Sequence, residues 1–477
     1  MTRMIMLVMM VAATASAAPK ETAKVPITAA SEEARKLYLE GRDLFEKLRG
    51  TDAHALFERA VAKDPSFALA HLGVANTSAS AKAFRESLDR AVALVDKVTP
   101  GEALLIRAAD AAARGDLVHQ REYLDEAVQH FPTDERVLNQ LANYHFGNQD
   151  YTAAIAAFEK AIRIAPAFTQ PYNQLGYAYR FVGKPAQAEK AFKKYIQLIP
   201  DDPNPYDSYG ELLMERGRFE ESIKAYKKAL AVDRNFIASY IGIGNDQILL
   251  GRGEAARATF AKLRQVARND GERRQAITWT ALSYTHEAAW DKALAEVDKL
   301  VAIAATAKDL ATLAGDHGFA AAILLEAGRI DAAATKYKLV LDAIDRATLP
   351  ESVKQAVHRN AVASDARVAL ARGDLATAKA KTTEYGKQVA VAKVPFELRQ
   401  HHELLGLIAL NEKLYSRAVT ELGQANPRDP RIMYWTAVAL RFNNEIKQSR
   451  AMAAKAANFN GLAPNYGYVR AKAKALQ

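Results

Sequence analysis

Apolar and polar residues alternate along this chain with the period of amphipathic helices, and the helices come in pairs. Tyr172, Leu175, Gly176 and Tyr179 fall at i, i+3, i+4 and i+7, and Ala188, Ala191, Phe192 and Tyr195 repeat that spacing. Each short helix therefore owns an apolar stripe that needs a partner helix to cover it. The pair itself recurs every 34 residues, because Tyr172, Tyr206 and Tyr240, then Gly176, Gly210 and Gly244, then Phe158, Phe192, Tyr226 and Phe260 occupy equivalent places. A fixed period of this length predicts stacked units whose function is spread over an extended surface.

The repeated positions have separable tasks. Gly176, with Ala142, Gly210 and Gly244, is small where a partner helix must come close, despite a cost of up to ~1 kcal/mol in helix propensity. Gly183, Gly217 and Gly251 lie between the two helices, where a residue tolerant of left-handed angles ends the first. Pro132, Pro166 and Pro200 close the units and turn the chain toward the next pair.

This pattern resembles the tetratricopeptide repeat family, whose motif places a bulky residue, Leu-Gly, Tyr, Gly-x-Tyr, Ala, Phe, Ala and Pro at fixed offsets. The match is strongest from Glu135 to Arg268, with further units near Ala34, Ala68 and Gly101 upstream. Downstream, units near Arg274, Ala314, Arg359, Arg399 and Pro430 follow a looser spacing. The resemblance implies an all-α fold: a right-handed superhelical solenoid of about 12 antiparallel helix pairs. Residues 34–268 form the regular array, and 269–477 a degenerate one ending in a capping helix. Asn269-Asp270-Gly271 reads as a turn and the one internal seam. No stretch is left over for a catalytic domain, so a non-enzymatic protein is expected.

Met1 to Ala17 reads as a secretory signal peptide, with Arg3, an apolar run from Ile5 to Ala13 and a small-x-small end at Ala15-Ser16-Ala17. The run is too short to span a bilayer. The chain has no cysteine, hence no disulfide, no thiol nucleophile and no lipid-anchor cysteine, and a periplasmic or secreted location is expected. Residues 18–33 read as a flexible lead.

The formal charge of +10 falls to +9 once Arg3 leaves with the leader. Lys190, Lys193 and Lys194 recur one period later as Lys224, Lys227 and Lys228, away from the apolar stripe of their helices. They form either a solvated face or a basic outer ridge for anionic glycan or lipid at a membrane surface. Nucleic acid is not expected, since the aromatics sit in the packing stripe and do not interleave with cations.

The remaining chemical motifs are incomplete. Gly176 to Lys184 imitates a phosphate loop, but Pro185 stands where Ser or Thr is required. Gly251-x-Gly253-x-x-Ala256 imitates a dinucleotide fingerprint without a preceding strand. His286-Glu287 and His401-His402-Glu403 lack further ligands at metal-binding spacing, so no metal and no cofactor are expected. Asp207, Glu211 and Glu215 align three carboxylates on one helical face, which by itself gives neither acid-base catalysis nor a calcium site.

Helix packing uses the fourth, seventh, eighth and eleventh positions of a unit, so the second, fifth, ninth and twelfth point elsewhere. In the resembled family these positions line the concave groove. Here they are Arg136, Asn139, Asn143 and Phe146, then Gln170, Asn173, Tyr177 and Arg180, then Asn204, Asp207, Glu211 and Met214, joined by Asn245. Asparagine both donates and accepts, so a row of them can pair with the backbone of an extended peptide. A protein or peptide partner in this groove is the expected ligand, against the alternative of plain polar cover. Family members that clamp a terminal carboxylate carry Lys and Asn at the fifth and ninth positions. Asn139 and Asn143, followed by Asp207 and Glu211, disfavour such a ligand and favour a basic one.

Overall fold

The computed structural model describes residues 24–461 and 466–477. The leader at 1–17 and the first part of the lead therefore lie outside the described residues. Twelve antiparallel helix pairs follow one another, and no strand occurs among the described residues. Units 1 to 4 are α1 (Glu32–Glu46) with α2 (Gly50–Lys63), α3 (Ala68–Asn76) with α4 (Ala81–Val92), α5 (Pro100–Ala113) with α6 (Leu117–His130), and α7 (Glu135–Gly147) with α8 (Tyr151–Ile164). Units 5 to 8 are α9 (Gln170–Phe181) with α10 (Pro185–Leu198), α11 (Asn204–Glu215) with α12 (Phe219–Val232), α13 (Ile237–Leu249) with α14 (Gly253–Val266), and α15 (Asp270–His286) with α16 (Trp290–Thr306). Units 9 to 12 are α17 (Leu310–Glu326) with α18 (Ile330–Arg346), α19 (Glu351–Arg372) with α20 (Leu375–Ala392), α21 (Pro395–Asn411) with α22 (Tyr415–Gln424), and α23 (Pro430–Phe442) with α24 (Ile446–Ala457), after which α25 (Tyr466–Lys474) ends the stack.

The ladder residues interlock within each unit. A Cβ on Gly176 would lie 2.6 Å from the Phe192 ring, on Gly210 2.9 Å from Tyr226, and on Gly244 2.2 Å from Phe260. Each aromatic ring thus fills the space that the missing side chain leaves. The turn glycines Gly183, Gly217 and Gly251 have φ of +73°, +73° and +78°. The ladder tyrosines also tie units together: the hydroxyls of Tyr172, Tyr206 and Tyr240 donate to the carbonyls of Pro166, Pro200 and Arg234 at 3.1, 2.9 and 3.0 Å.

The looser spacing downstream has a simple cause. Helices of 12 and 14 residues in α9 and α10 give way to 17 in α15 through α18 and 22 in α19, so the units lengthen while the pairing persists. The turn expected at Asn269-Asp270-Gly271 is instead a helix start. Asn269 caps α15 by accepting from the Glu272 amide at 2.9 Å, and Asp270 and Gly271 already belong to the helix.

The stack coils until unit 8 reaches unit 1. Arg268 Nη1 meets Asp52 Oδ1 at 2.7 Å, and Thr51 donates to Glu272 Oε1 at 2.6 Å. Contacts between successive turns, six to seven units apart, recur along the chain. Arg399 of α21 donates to the Asn148 carbonyl at 3.3 Å, Arg428 covers the Phe181 ring at 3.2 Å, Asn460 donates to the Glu215 carbonyl at 3.2 Å, and Arg470 of α25 to the Leu249 carbonyl at 3.2 Å. Where the turns first touch, residues including Arg49, Asp52, Asn235, Arg268 and Glu272 enclose a cavity of about 810 Å³.

The lead expected to be flexible is, from Lys24 onward, an extended strap fastened to the body. The Val25 amide donates to Asp134 Oδ2 at 2.8 Å, the Thr28 amide to Glu102 Oε1 at 2.7 Å, and the Ala30 amide to Asp64 Oδ2 at 2.6 Å. Carboxylates 34 to 109 residues away hold it, and no local pattern announces them.

Gly244→Ala is expected to lower the urea midpoint, at a cost of about 1–3 kcal/mol, because the Phe260 ring at 2.2 Å must move. Gly147→Ala, which meets nothing within 4 Å, should be neutral or stabilising by roughly 0.4–1 kcal/mol. Circular dichroism of both variants checks the contrast, and equal effects would mean that close packing is not what the ladder glycine supplies.

Candidate functional site

The second, fifth, ninth and twelfth positions of α7, α9 and α11 do share one face, but the superhelix winds tightly enough to bury much of it. Arg136 spans the groove: its Nε reaches Glu46 Oε1 of α1 at 2.8 Å, its Nη1 reaches Glu135 Oε1 at 2.7 Å, and its guanidinium lies 5.0 Å from the Phe168 ring. Asn139 is 3 % exposed and donates to Gln170 Oε1 at 2.6 Å. Its Oδ1 has no donor among the described residues, and neither has Oδ1 of Asn173, which is 5 % exposed. Arg136, Asn139, Asn143 and Gln170 border a cavity of about 260 Å³ that Val25, Pro26 and Ile27 of the strap wall on the other side.

Further along, the site turns acidic. Tyr177 donates to Glu211 Oε2 at 2.8 Å, and Arg180 Nη1 to Glu211 Oε1 at 3.0 Å. Arg180 also faces Glu215 Oε2 at 2.8 Å while lying over the Tyr177 and Phe181 rings at 5.0 and 4.8 Å. Asp207 accepts from the Ser239 hydroxyl at 2.7 Å, and burial, aided by Glu211, lifts its carboxyl to about 7.

Several expected groove residues are packing residues. Asn204 is spent on Tyr195 and Ser208, donating to the Tyr195 hydroxyl at 2.8 Å and accepting from Ser208 Oγ at 3.3 Å. Asn245 donates to the Ile241 carbonyl of its own helix at 2.9 Å. Met214 is buried against Leu249 and the C-terminal Tyr466 and Phe459, and Phe146 packs edge-on to Tyr151 at 5.5 Å. The partners of Asn204, Asn245 and Phe146 are local, in the same or the adjoining helix, whereas Met214 is covered by the next unit and by the next turn of the coil. Of the lone histidines, His286 is half-buried beside Tyr466 and His402 pairs with Glu421 at 2.8 Å. No group of three or more metal-ligating side chains occurs among the described residues.

Asp246 escaped the positional reasoning. It is 0 % exposed, neither oxygen has a hydrogen-bond donor, and burial pushes it up to about 8, with Glu220 adding to the rise and Ser222 opposing it. The Ser222 hydroxyl itself donates to the Gly210 carbonyl at 2.7 Å. Its signal lies in the repeat: the equivalent positions hold Ala178 and Leu212, so a carboxylate stands in an apolar column. Asp207, Glu211, Glu215 and Asp246 thus crowd one region in which Arg180 is paired twice, and the rise in Asp207 and Asp246 keeps like charge from accumulating there. The six lysines of the outer ridge are all exposed, Lys193 pairing with Glu189 at 2.8 Å.

Both raised carboxyls take up protons on folding, so the stability they confer is full below their ordinary 3.8 and is lost as pH rises through about 7 and 8. Asp246→Asn should therefore stabilise the fold by about 1–3 kcal/mol near pH 9 and change little near pH 4. Thermal melts at both pH values check this, and an equal shift at the two would count against it.

Family models match four stretches of the chain: TPR repeat at 210–247, and tetratricopeptide repeat at 135–168, 169–202 and 38–103. A search of curated proteins finds no match. Among solved structures, the chain is similar to a tetratricopeptide repeat protein from Parabacteroides merdae ATCC 43184, with 16 % identity over 54 % of this chain and 97 % of that one, at a TM-score of 0.37. MamA (41-end) from Desulfovibrio magneticus RS-1 is 19 % identical over 36 % and 97 %, at 0.30. A thermophilic repeat protein of the same kind from Thermus thermophilus, TTC0263, is 19 % identical over 38 % and 98 %, at 0.33.

Proposed function

Because this chain is a tetratricopeptide repeat protein, and such repeats bind protein or peptide partners, we propose that it is a non-enzymatic exported scaffold holding an extended polypeptide in the groove of α7, α9 and α11. The observation that carries this reading is the pair of buried amide oxygens, Asn139 Oδ1 and Asn173 Oδ1, left without donors along that face. A buried acceptor without a donor costs about 1–3 kcal/mol, and the backbone N–H groups of an extended peptide are donors that would relieve it once the side chains covering these oxygens move aside. Of the acidic stripe Asp207, Glu211 and Glu215, Asp207 is buried with its carboxyl lifted to about 7 and Glu211 is paired with Arg180, so the basic character expected of the segment rests on the part-exposed Glu215. Export rests on the leader reading of residues 1–17 and places the protein in the periplasm or outside the cell, in envelope assembly or secretion. Sequencing the N-terminus of the native protein should then begin at Ala18.

A second reading assigns contact with anionic glycan or lipid to the exposed ridge of Lys190, Lys194, Lys224 and Lys227. The two separate in one experiment. A photo-crosslinking side chain at Asn143 should give a discrete protein adduct that survives moderate salt and falls about tenfold in Asn139→Ala/Asn173→Ala. Adducts formed only from position 227, and lost at about 0.3 M salt, would replace the groove reading with the ridge.

A further inference from the structure

Residues 24–30 lie on the body as a bound peptide does. Val25, Ile27 and Ala29 face inward and are half-buried, while Lys24, Pro26, Thr28 and Ala30 are exposed, although the Thr28 hydroxyl still donates to Glu102 Oε2 at 2.6 Å. Val25 packs with Leu104 and Phe131, and Ile27 and Ala29 with the cluster around Tyr38, Phe57 and Phe67. The backbone is read by three carboxylates that begin or precede successive first helices, and each divides its oxygens between two tasks. Asp134 Oδ1 caps α7 through the Arg136 amide at 2.8 Å while Oδ2 takes the Val25 amide. Glu102 Oε2 accepts from the Thr99 amide at 3.0 Å while Oε1 takes the Thr28 amide. Asp64 Oδ1 accepts from the Ser66 amide at 3.0 Å while Oδ2 takes the Ala30 amide. With the strap in place Asp64 and Asp134 are each 4 % exposed and Glu102 0 %, and its amides complete the set of donors that these charges draw from the local turns.

We propose that Asp64, Glu102 and Asp134 form a docking track for an extended peptide with apolar side chains at alternate positions, and that residues 24–30 are its resident occupant, held in cis and exchangeable in trans. Recognition through main-chain amides and alternate pockets is the logic of strand addition, and it tolerates many sequences. The resident segment also fits loosely. A cavity of about 260 Å³ remains beside Val25 and Ile27, bounded by Tyr38, Leu69 and Leu72, which is room for side chains larger than valine and isoleucine. The track adjoins the groove of the proposed function, since Arg136, Asn139, Asn143 and Gln170 border the same cavity, but it does not rest on that reading, because its carboxylates sit at helix starts and their partners are the strap. The two sites meet at Glu135, whose Oε1 serves both Lys24 at 2.6 Å and Arg136 at 2.7 Å.

The test uses the full chain with a protease recognition sequence inserted between Ala30 and Ser31 and cut after folding. A fluorescent peptide of residues 24–30 should bind the cut protein, and bind the uncut one about 100-fold more weakly, since the tethered copy competes at high effective concentration. A permuted peptide of the same composition should not bind. Glu102→Gln should weaken capture about tenfold, and Ile27→Phe in the peptide should tighten it. Failure of the cut protein to bind at about 1 mM peptide, with helix content intact, overturns the proposal. Loss of helix content on cutting overturns it equally, because the strap is then a strut and not a ligand.

Discussion

An aromatic ring pressed against a bare helix backbone sets the geometry on which the rest of this molecule depends. Phe192, Tyr226 and Phe260 each occupy the volume that Gly176, Gly210 and Gly244 leave open, so the two helices of a unit meet at one separation and one rotation. Neither helix could bury its stripe alone, and each pair still presents a face that only the next pair can cover. Small, uniform steps of this kind accumulate. After about seven of them the chain returns beside its own beginning, which is why Arg268 finds Asp52, and later in the coil Arg470 finds the Leu249 carbonyl.

Coiling that tightly changes the meaning of polar residues on the inner face. Met214 shows this for the apolar side, being covered by Leu249, Phe459 and Tyr466, while Asn204 and Asn245 are hydrogen-bonded to residues close in sequence. The buried polar atoms without a hydrogen-bond partner include the amide oxygens of Asn139 and Asn173 on that face and, in the neighbouring column, the carboxylate of Asp246. The helix-start carboxylates show the opposite economy, since one oxygen holds the local turn and the other a strand from elsewhere in the chain.

Most of the fold was legible because its determinants are local and repeated. The spacing of Tyr172, Gly176 and Phe192 specifies two helices and their contact, and the next period repeats the instruction. Lengthened helices such as α19, of 22 residues, blurred the spacing without changing the pairing. The groove positions were found as a face, but which of them remain available was hidden, because burial there depends on units that follow at no fixed sequence distance. The strap was missed for the same reason: Val25 and Ala30 carry no sign of partners 109 and 34 residues away. Asp246 was visible in principle, as a charge in a column otherwise held by Ala178 and Leu212, but only a comparison of units at that column exposes it.

The contacts between successive turns join residues 216 to 277 positions apart, and this imposes an order in time. Loop-closure entropy makes such distant pairings the last to form, whereas each helix pair closes over a few dozen residues. As the chain emerges from its N-terminal side, units 1 to 7 can complete a ring before Arg399, Arg428 or Arg470 has been synthesised. The second turn is then laid onto a finished surface, its start set by Thr51 and Asp52 and its end by the carbonyl of Leu249. The first half of the protein is in this sense a template for the second.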